Sequence, residues 1–259
     1  MDLGIAGKWA IVGASSKGLG RGCAMALAEA GCVVVINGRD ADRLERTADE
    51  LRAATGATIV AVAADVATKE GQDKLFAACP EPDILINNNG GPPYRDFREL
   101  DREKILAGVI GNMVSPIELV QRAIGPMGRK GFGRIVNITS SSVKAPLAGL
   151  DLSSGARAGL TAFLAGVARS VAGTGVTINQ LLPGSFDTDR LRGGMAGTAQ
   201  QRGIDIETLA AERRKAIPAQ RFGTPEEFGQ ACAFLCSVHA GYITGQNLLI
   251  DGGAFPGAF

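Results

Sequence analysis

Short apolar runs alternate with amphipathic stretches along nearly the whole chain. Trp9–Val12 is apolar and leads into the glycine-rich turn of WAIVGASSKGLG, after which Leu19, Cys23 and Leu27 recur at helical spacing until Gly31. Val33–Asn37 is a continuous β-branched run, the pattern of a strand buried on both faces. The spacing then predicts a helix over Asp40–Ala54, a strand over Thr58–Ala63, a helix over Lys69–Cys79 and a strand over Asp83–Asn87. The second half repeats the rhythm with longer helices. Leu100–Met127 reads as mostly helical with a break or kink at Pro116, Arg134–Thr139 as a strand, Leu152–Val171 as a helix rich in small residues, and Val176–Leu182 as the sixth strand. Gly184 to Gly223 reads as an irregular, polar insertion. Thr224 and Pro225 are start signals for a last helix to Ser237, and Asn247–Ile250 is a closing strand. Strands alternating with helices imply an α/β fold with a doubly wound parallel sheet of about seven strands, Rossmann-like, covered on both faces.

At 259 residues, with no linker or low-complexity tract, one dinucleotide-binding domain over 1–259 is expected, its 184–223 insertion serving as a substrate lid. Lys+Arg 27 against Asp+Glu 26 leaves a net charge of +1, which argues against nucleic acid or an anionic membrane and for a small-molecule partner. No apolar run approaches the ~18 residues that span a bilayer, and MDLGIAGKWA lacks a signal-peptide layout, so a cytoplasmic protein is expected. The five cysteines are scattered in apolar patterns and read as buried free thiols; Cys232 and Cys236 lack the further ligands of a zinc site, and no metal is expected. The single histidine, His239, lies in a polar turn, which removes histidine-based triads and reads as a solvated side chain.

In the first turn, glycines let a pyrophosphate approach the backbone at the positive end of the following helix. Lys17 lies in that turn and Arg39 follows the second strand, where an NAD-binding protein usually carries an acidic residue for the ribose 2′-hydroxyl. A basic residue there suits a 2′-phosphate, so NADP(H) is favoured over NAD(H); the alternative is that both cations only solvate the strand ends. Asp65 either accepts from an adenine amino group or caps the next helix, and Asn87 ties strands together.

Seven motifs then stand in register: Gly18-Leu19-Gly20, Asp65-Val66, Asn87-Asn88-Asn89-Gly90, Asn112, Ser140, Pro183-Gly184 with Thr188, and Asp251-Gly252-Gly253. In this order the chain resembles the short-chain dehydrogenase/reductase family, in its 3-oxoacyl-[acyl-carrier-protein] reductase-like branch. The resemblance implies that Gly13, Ser15, Ser16, Lys17, Gly18, Leu19 and Gly20 hold the phosphates, with Arg39, Asp65 and Val66 on the adenosine side. It places Asn88, Asn89 and Gly90 along the riboses, and Arg157, Pro183, Gly184, Phe186 and Thr188 at the nicotinamide end. It also implies a homo-oligomer, tetramer or dimer, built through Leu100–Met127 and Leu152–Val171, where Gly155, Ala156, Ala158 and Gly159 permit close packing.

The chain departs from the family pattern at informative places. Gly13 stands where threonine is usual and Ala14 where the first glycine is usual, which matters if that position needs a positive φ. Asn89 replaces the usual alanine. Ser153 stands at the family's tyrosine and Arg157 at its lysine. A phenol with a reference pKa near ~10 is tuned toward neutrality by an adjacent cation; an aliphatic hydroxyl is too weak an acid for that. Ser140 remains the best catalytic candidate, as a donor to a substrate carbonyl oxygen, although serine is also an ordinary turn residue. Asn112 would position a water, and Arg157 would hold the nicotinamide ribose. Tyr94, Lys144 and Asp151 are alternative acids. Phe186 and Phe132 suggest a partly apolar pocket. The expected function is therefore an NADP(H)-dependent carbonyl/alcohol oxidoreductase with a modified proton relay; a non-catalytic dinucleotide sensor and a non-redox enzyme on the same scaffold are the alternatives.

Overall fold

The computed structural model describes residues 1–258. Seven parallel strands form one sheet in the order β3-β2-β1-β4-β5-β6-β7: β1 Trp9–Val12, β2 Val33–Gly38, β3 Ile59–Ala63, β4 Ile84–Asn87, β5 Gly133–Ile138, β6 Val176–Pro183 and β7 Asn247–Ile250. Nine α-helices are described: α1 Gly18–Glu29, α2 Ala41–Thr55, α3 Lys69–Ala78, α4 Arg102–Val109, α5 Ser115–Lys130, α6 Asp151–Val171, α7 Asp189–Arg202, α8 Ile206–Lys215 and α9 Pro225–Cys236. Alternate residues of each central strand point to opposite faces and build two apolar cores. Ala10, Val12, Val34 and Ile36 pack with Leu27 and Phe228 of α1 and α9 on one side, and Ile11, Val35, Leu85 and Ile135 with Leu119, Leu160 and Leu164 of α5 and α6 on the other. The strand order reverses between β1 and β4, so their carboxyl ends open the crevice in which such sheets bind ligands.

Most helix starts follow local capping chemistry. Asp40, Thr68 and Thr224 each accept a backbone N–H from the first turn of the helix that follows, and Thr224 with Glu227 forms a full capping box. Thr68, not Asp65, therefore caps α3. No helix among the described residues is long and apolar enough to cross a membrane. All five cysteines are buried and free, and His239 is exposed, its Nε2 2.8 Å from the Asp2 carbonyl.

One expectation is sharpened and one changes. The mostly helical stretch expected over Leu100–Met127, with a break or kink at Pro116, is α4 and α5, and its break is a π-helical turn at Ile110–Val114, just before Pro116. Proline cannot donate to the carbonyl four residues back, and the ladder adjusts upstream: both the Ser115 N–H and its hydroxyl donate to the Ile110 carbonyl, five residues earlier. The 184–223 insertion is not irregular. It holds α7 and α8, which close a small core of Met195, Ala199, Leu209, Ala210, Ile217 and Phe222. Gly193, Gly194 and Gly197 weaken the helical pattern of α7, and its apolar stripe of Leu191, Met195 and Ala199 is stabilised by packing against α8.

Candidate functional site

The turn between β1 and α1 is assembled by contacts that the local sequence only partly encodes. Ala14 adopts φ +43°, the left-handed region that the usual glycine would enter without strain. Its carbonyl accepts from Nδ2 of Asn88 at 3.2 Å, which fastens the turn to the end of β4. Gly20 is required by this closeness, since a β-carbon there would lie 2.3 Å from the Ala14 oxygen. Gly13 donates to the Ile86 carbonyl and is buried against Asn88. Lys17 occupies the N-cap position of α1 in an extended conformation and supplies no side-chain cap, so the first N–H groups of α1, at Gly18, Leu19 and Gly20, face the crevice without a capping side chain.

The Ser15 hydroxyl is spent inside the fold and is not free for a phosphate. It is fully buried, donates to the Val12 carbonyl at 2.7 Å and accepts from the Asn37 N–H at 2.9 Å, so it ties β1 to β2. Ser16 stays half-buried over Gly38. The Lys17 ammonium is exposed and lies 3.0 Å from the carboxylate of Asp189, at the start of α7. Arg39 is exposed at the end of β2, its guanidinium 4.0 Å from the Asp65 carboxylate, whose other oxygen accepts from the Ala67 N–H. A loosely held guanidinium at the rim is free to turn to a phosphate. Val66 is buried and borders, with Asn88 and Asn89, a small recess behind the end of β4.

The ends of β4, β5 and β6 carry a row of buried asparagines. Asn87 donates from Nδ2 to Asn137 Oδ1 at 2.8 Å and to the Pro116 carbonyl, and Asn137 donates to the Asn179 carbonyl. Asn87 thus ties strands, as expected. Asn89 donates to the Gly111 carbonyl and accepts from the Gly90 N–H, joining the β4 loop to the π-helical turn. In that turn the Asn112 side chain is buried; its Nδ2 donates to the Gly108 carbonyl, while Oδ1 has no partner among the described residues.

Arg157 draws the candidate catalytic residues together. From α6 its Nη1 donates to the Ile138 carbonyl at 2.6 Å, its Nη2 to the Asn89 carbonyl at 3.4 Å and its Nε to Ser153 Oγ at 3.3 Å. Burial first, and then the charge of Arg190, push this guanidinium down from its ordinary value to about 10. Ser153 is buried and accepts from Arg157, which leaves its own proton for an oxygen placed in the crevice. Ser140, two residues past the end of β5, accepts from the N–H and hydroxyl of Ser142 and likewise keeps its proton available.

Several expectations are redirected. The Phe186 ring is buried edge-on against Phe228, with centroids 5.2 Å apart, and so supports the end of β6 from the core, while the residue also borders a cavity with Gly223 and Asp251. Phe132 precedes β5, at the amino ends of the strands, where Lys8 and Arg134 cover its ring; it lies at the wrong end of the sheet for the crevice. The Lys144 ammonium lies over the Phe255 ring, and the Asp151 carboxylate accepts from the Gly149 N–H. Tyr94 is exposed, its ring between Gly149, before α6, and Gly194 of α7. Pro183 and Gly184 end β6, where the Gly184 N–H donates to the Ile250 carbonyl; Thr188 caps α7 and its methyl approaches Gly18. Arg190, which no sequence motif marks, donates to the Gly91 and Pro92 carbonyls across nearly a hundred residues. Only the approach of α7 to the β4 loop reveals it.

A family model described as enoyl-(acyl carrier protein) reductase matches residues 13–254. The chain is 30% identical over 264 residues to the uncharacterized oxidoreductase YvaG of Bacillus subtilis, covering all of both chains, and 31% identical to the 3-oxoacyl-[acyl-carrier-protein] reductase FabG of Aquifex aeolicus, covering 98% of this chain and 100% of that one. The crystal structure of L-sorbose reductase from Gluconobacter frateurii, complexed with NADPH and L-sorbose, matches with a TM-score of 0.94 at 29% identity, covering 99% of this chain and 100% of that one. Seven parallel strands in this order, the crevice where their order reverses and these likenesses over the full chain converge: the chain belongs to the short-chain dehydrogenase/reductase family of oxidoreductases, in its 3-oxoacyl-[acyl-carrier-protein] reductase-like branch.

Proposed function

We propose that the protein is an NADP(H)-dependent oxidoreductase that interconverts a carbonyl and an alcohol at a Ser140–Ser153–Arg157 centre. The observation that carries this reading is the uncapped start of α1, tethered to β4 through Ala14 and Asn88 and flanked by the exposed cations Lys17 and Arg39. Those residues fit a dinucleotide phosphate: the donors of Gly18, Leu19 and Gly20 would take the pyrophosphate, Arg39 the 2′-phosphate, and Asp65 and Val66 the adenine. Asn88, Asn89, Gly90, Pro183, Gly184 and Thr188 would line the riboses and nicotinamide. The L-sorbose reductase structure, which contains NADPH, supports the same cofactor here. When bound, NADPH supplies the hydride.

The chain's own residues then orient and polarise. Ser140 and Ser153 donate hydrogen bonds to the carbonyl oxygen, Arg157, through its hydrogen bond to Ser153, stabilises the negative charge that develops there, and the alkoxide takes the proton that completes the alcohol from solvent water. The partnerless Asn112 Oδ1 would hold a water at the π-helical turn. The segment with α7 and α8 serves as the lid over this centre, joined to the phosphate turn by Lys17 and Asp189. Exposed Ile105, Leu106, Ile110, Val114 and Phe163 between α4 and α6 support a homo-oligomer, dimer or tetramer, that buries them.

The test is parallel titration of nucleotide-free protein with NADPH and NADH by calorimetry, followed by carbonyl-dependent NADPH oxidation. Micromolar NADPH binding, NADH at least tenfold weaker, loss of that preference in Arg39→Ala, and turnover abolished by Ser140→Ala are expected. NADPH binding without oxidation across a broad carbonyl panel would establish a sensor in place of an enzyme.

A further inference from the structure

Two guanidiniums meet at Gly91. A β-carbon built there would lie 2.8 Å from Nη2 of Arg190 and 3.3 Å from Nη2 of Arg157, so the two nitrogens are within about 6 Å of each other, a separation at which like charges repel appreciably away from bulk water. Arg157 is buried, and no carboxylate among the described residues lies within 4.0 Å of either side chain. Both spend their bonds on neutral acceptors: Arg157 on the Ile138 and Asn89 carbonyls and Ser153, and Arg190 on the Gly91 and Pro92 carbonyls. By contrast Arg192, two residues further along α7, is paired through two nitrogens with Asp187. A buried cation normally has an anionic partner. Here no described residue supplies that partner.

We infer that Arg157 and Arg190 recognise a carboxylate on the substrate, which makes an oxo acid, or the corresponding hydroxy acid, the substrate class of this site. The inference rests on the oxidoreductase reading for the reaction but on the arginine pair alone for recognition. A guanidinium donates through five N–H groups, and Arg157 uses three, so donors remain for an oxyanion. The depressed affinity of Arg157 for its proton, caused by burial and by Arg190, has the sign that a bound anion would reverse. The carboxylate belongs to the substrate because Arg157 is joined to Ser153, at the reacting end of the crevice, whereas the phosphate turn has its own donors in the start of α1 and in Lys17 and Arg39. A cofactor phosphate is the other source of the same chemistry.

The test compares 2-, 3- and 4-oxo acids of four to six carbons with their methyl esters, in two readouts on the full chain saturated with NADPH. The first is kcat/KM from NADPH oxidation; the second is binding, by calorimetry, of 4-hydroxypentanoate against its methyl ester. The acids are expected to exceed the esters at least thirtyfold in kcat/KM and to be the only ones that bind measurably. Arg190→Met, a change at an exposed residue, is expected to cut the acid-to-ester ratio at least tenfold, and Arg190→Lys to restore part of it. Equal turnover of acids and esters overturns the inference while the oxidoreductase reading stands. Selective acid binding without any oxidation keeps the inference and overturns the reading. A tenfold loss of NADPH affinity in Arg190→Met with the acid-to-ester ratio unchanged assigns the pair to a cofactor phosphate and also overturns the inference.

Discussion

Arg157 Nε donates to the Ser153 hydroxyl, one turn earlier on α6, at 3.3 Å. The two residues that replace the family's tyrosine and lysine are thus coupled to each other, and the same guanidinium bridges the ends of β4 and β5. Ser153→Ala removes one acceptor from Arg157, and its expected cost is under about 1 kcal/mol in a urea melt. Arg157→Lys leaves a charge buried and strips donors from the Ile138 and Asn89 carbonyls, and is expected to cost about 1–3 kcal/mol. In steady-state kinetics Ser153→Ala is expected to lower kcat at least tenfold, by loss of a donor to the carbonyl oxygen. A stability ranking in the opposite order would show that Arg157 does not organise this end of the sheet.

Ala14 holds φ +43° at the place where the family uses glycine. A left-handed conformation costs a residue with a β-carbon about 1–2 kcal/mol, offset in part by the greater freedom glycine has in the unfolded chain. Ala14→Gly is therefore expected to stabilise by about 0.5–1 kcal/mol and to raise Tm by roughly 1–4 °C, read by calorimetry. A lower Tm would mean that the methyl group contributes packing that outweighs its strain.

Among the described residues Asn88 Nδ2 is the only side-chain donor on the Ala14 carbonyl, and Gly20 lies close to the same oxygen. Asn88→Ala is expected to loosen the phosphate turn and weaken NADPH binding about tenfold, equal to about 1.4 kcal/mol. Gly20→Ala is expected to be worse, because its β-carbon would overlap the Ala14 oxygen. Calorimetric titration of both variants checks the order.

Arg221 and the N–H of Thr224 hold the Glu227 carboxyl down from 4.5 to about 2. A carboxyl depressed in the folded state adds stability above its unfolded value, and that stability fades as pH falls from 4.5 toward about 2. The pair is solvent-exposed, so the effect is small. Glu227→Gln keeps an acceptor for the Thr224 N–H, and is expected to flatten the stability profile across this window while changing little at pH 7, which pH-dependent urea melts would show.

Burial pushes the Cys32 thiol up to about 12 and the Cys79 thiol up to about 11. Thiolate is the reactive form, so at pH 8 iodoacetamide is expected to leave all five cysteines of the folded protein unmodified for hours and to label all five after unfolding. Mass spectrometry reads both states. Rapid labelling of the native protein would contradict the buried packing of α1 and α9 around Cys23, Cys232 and Cys236.

By itself the sequence determined the sheet and its crevice, because both rest on local chemistry. Runs such as Val33–Asn37 are too apolar for anything but a covered strand, Thr224–Glu227 caps its helix with its own side chains, and glycines mark the first turn. The resemblance to the family also marked Ser140, Ser153 and Arg157, by counting along the chain from the family's motifs. Tertiary structure decided what those residues touch. Ser15 and Ser16 are neighbours of one residue type, yet one is spent between β1 and β2 while the other stays near the crevice, a distinction made by the position of Asn37. Phe186 and Phe132 are equally apolar, but one backs the core and the other lies at the far ends of the strands. Helix α7 of the insertion carries three glycines, and packing on α8 outweighs that weak local preference. The meeting of Arg157 and Arg190 at Gly91 depends on three segments far apart in sequence, and a buried charge with no carboxylate beside it among the described residues becomes visible only when all three are in place.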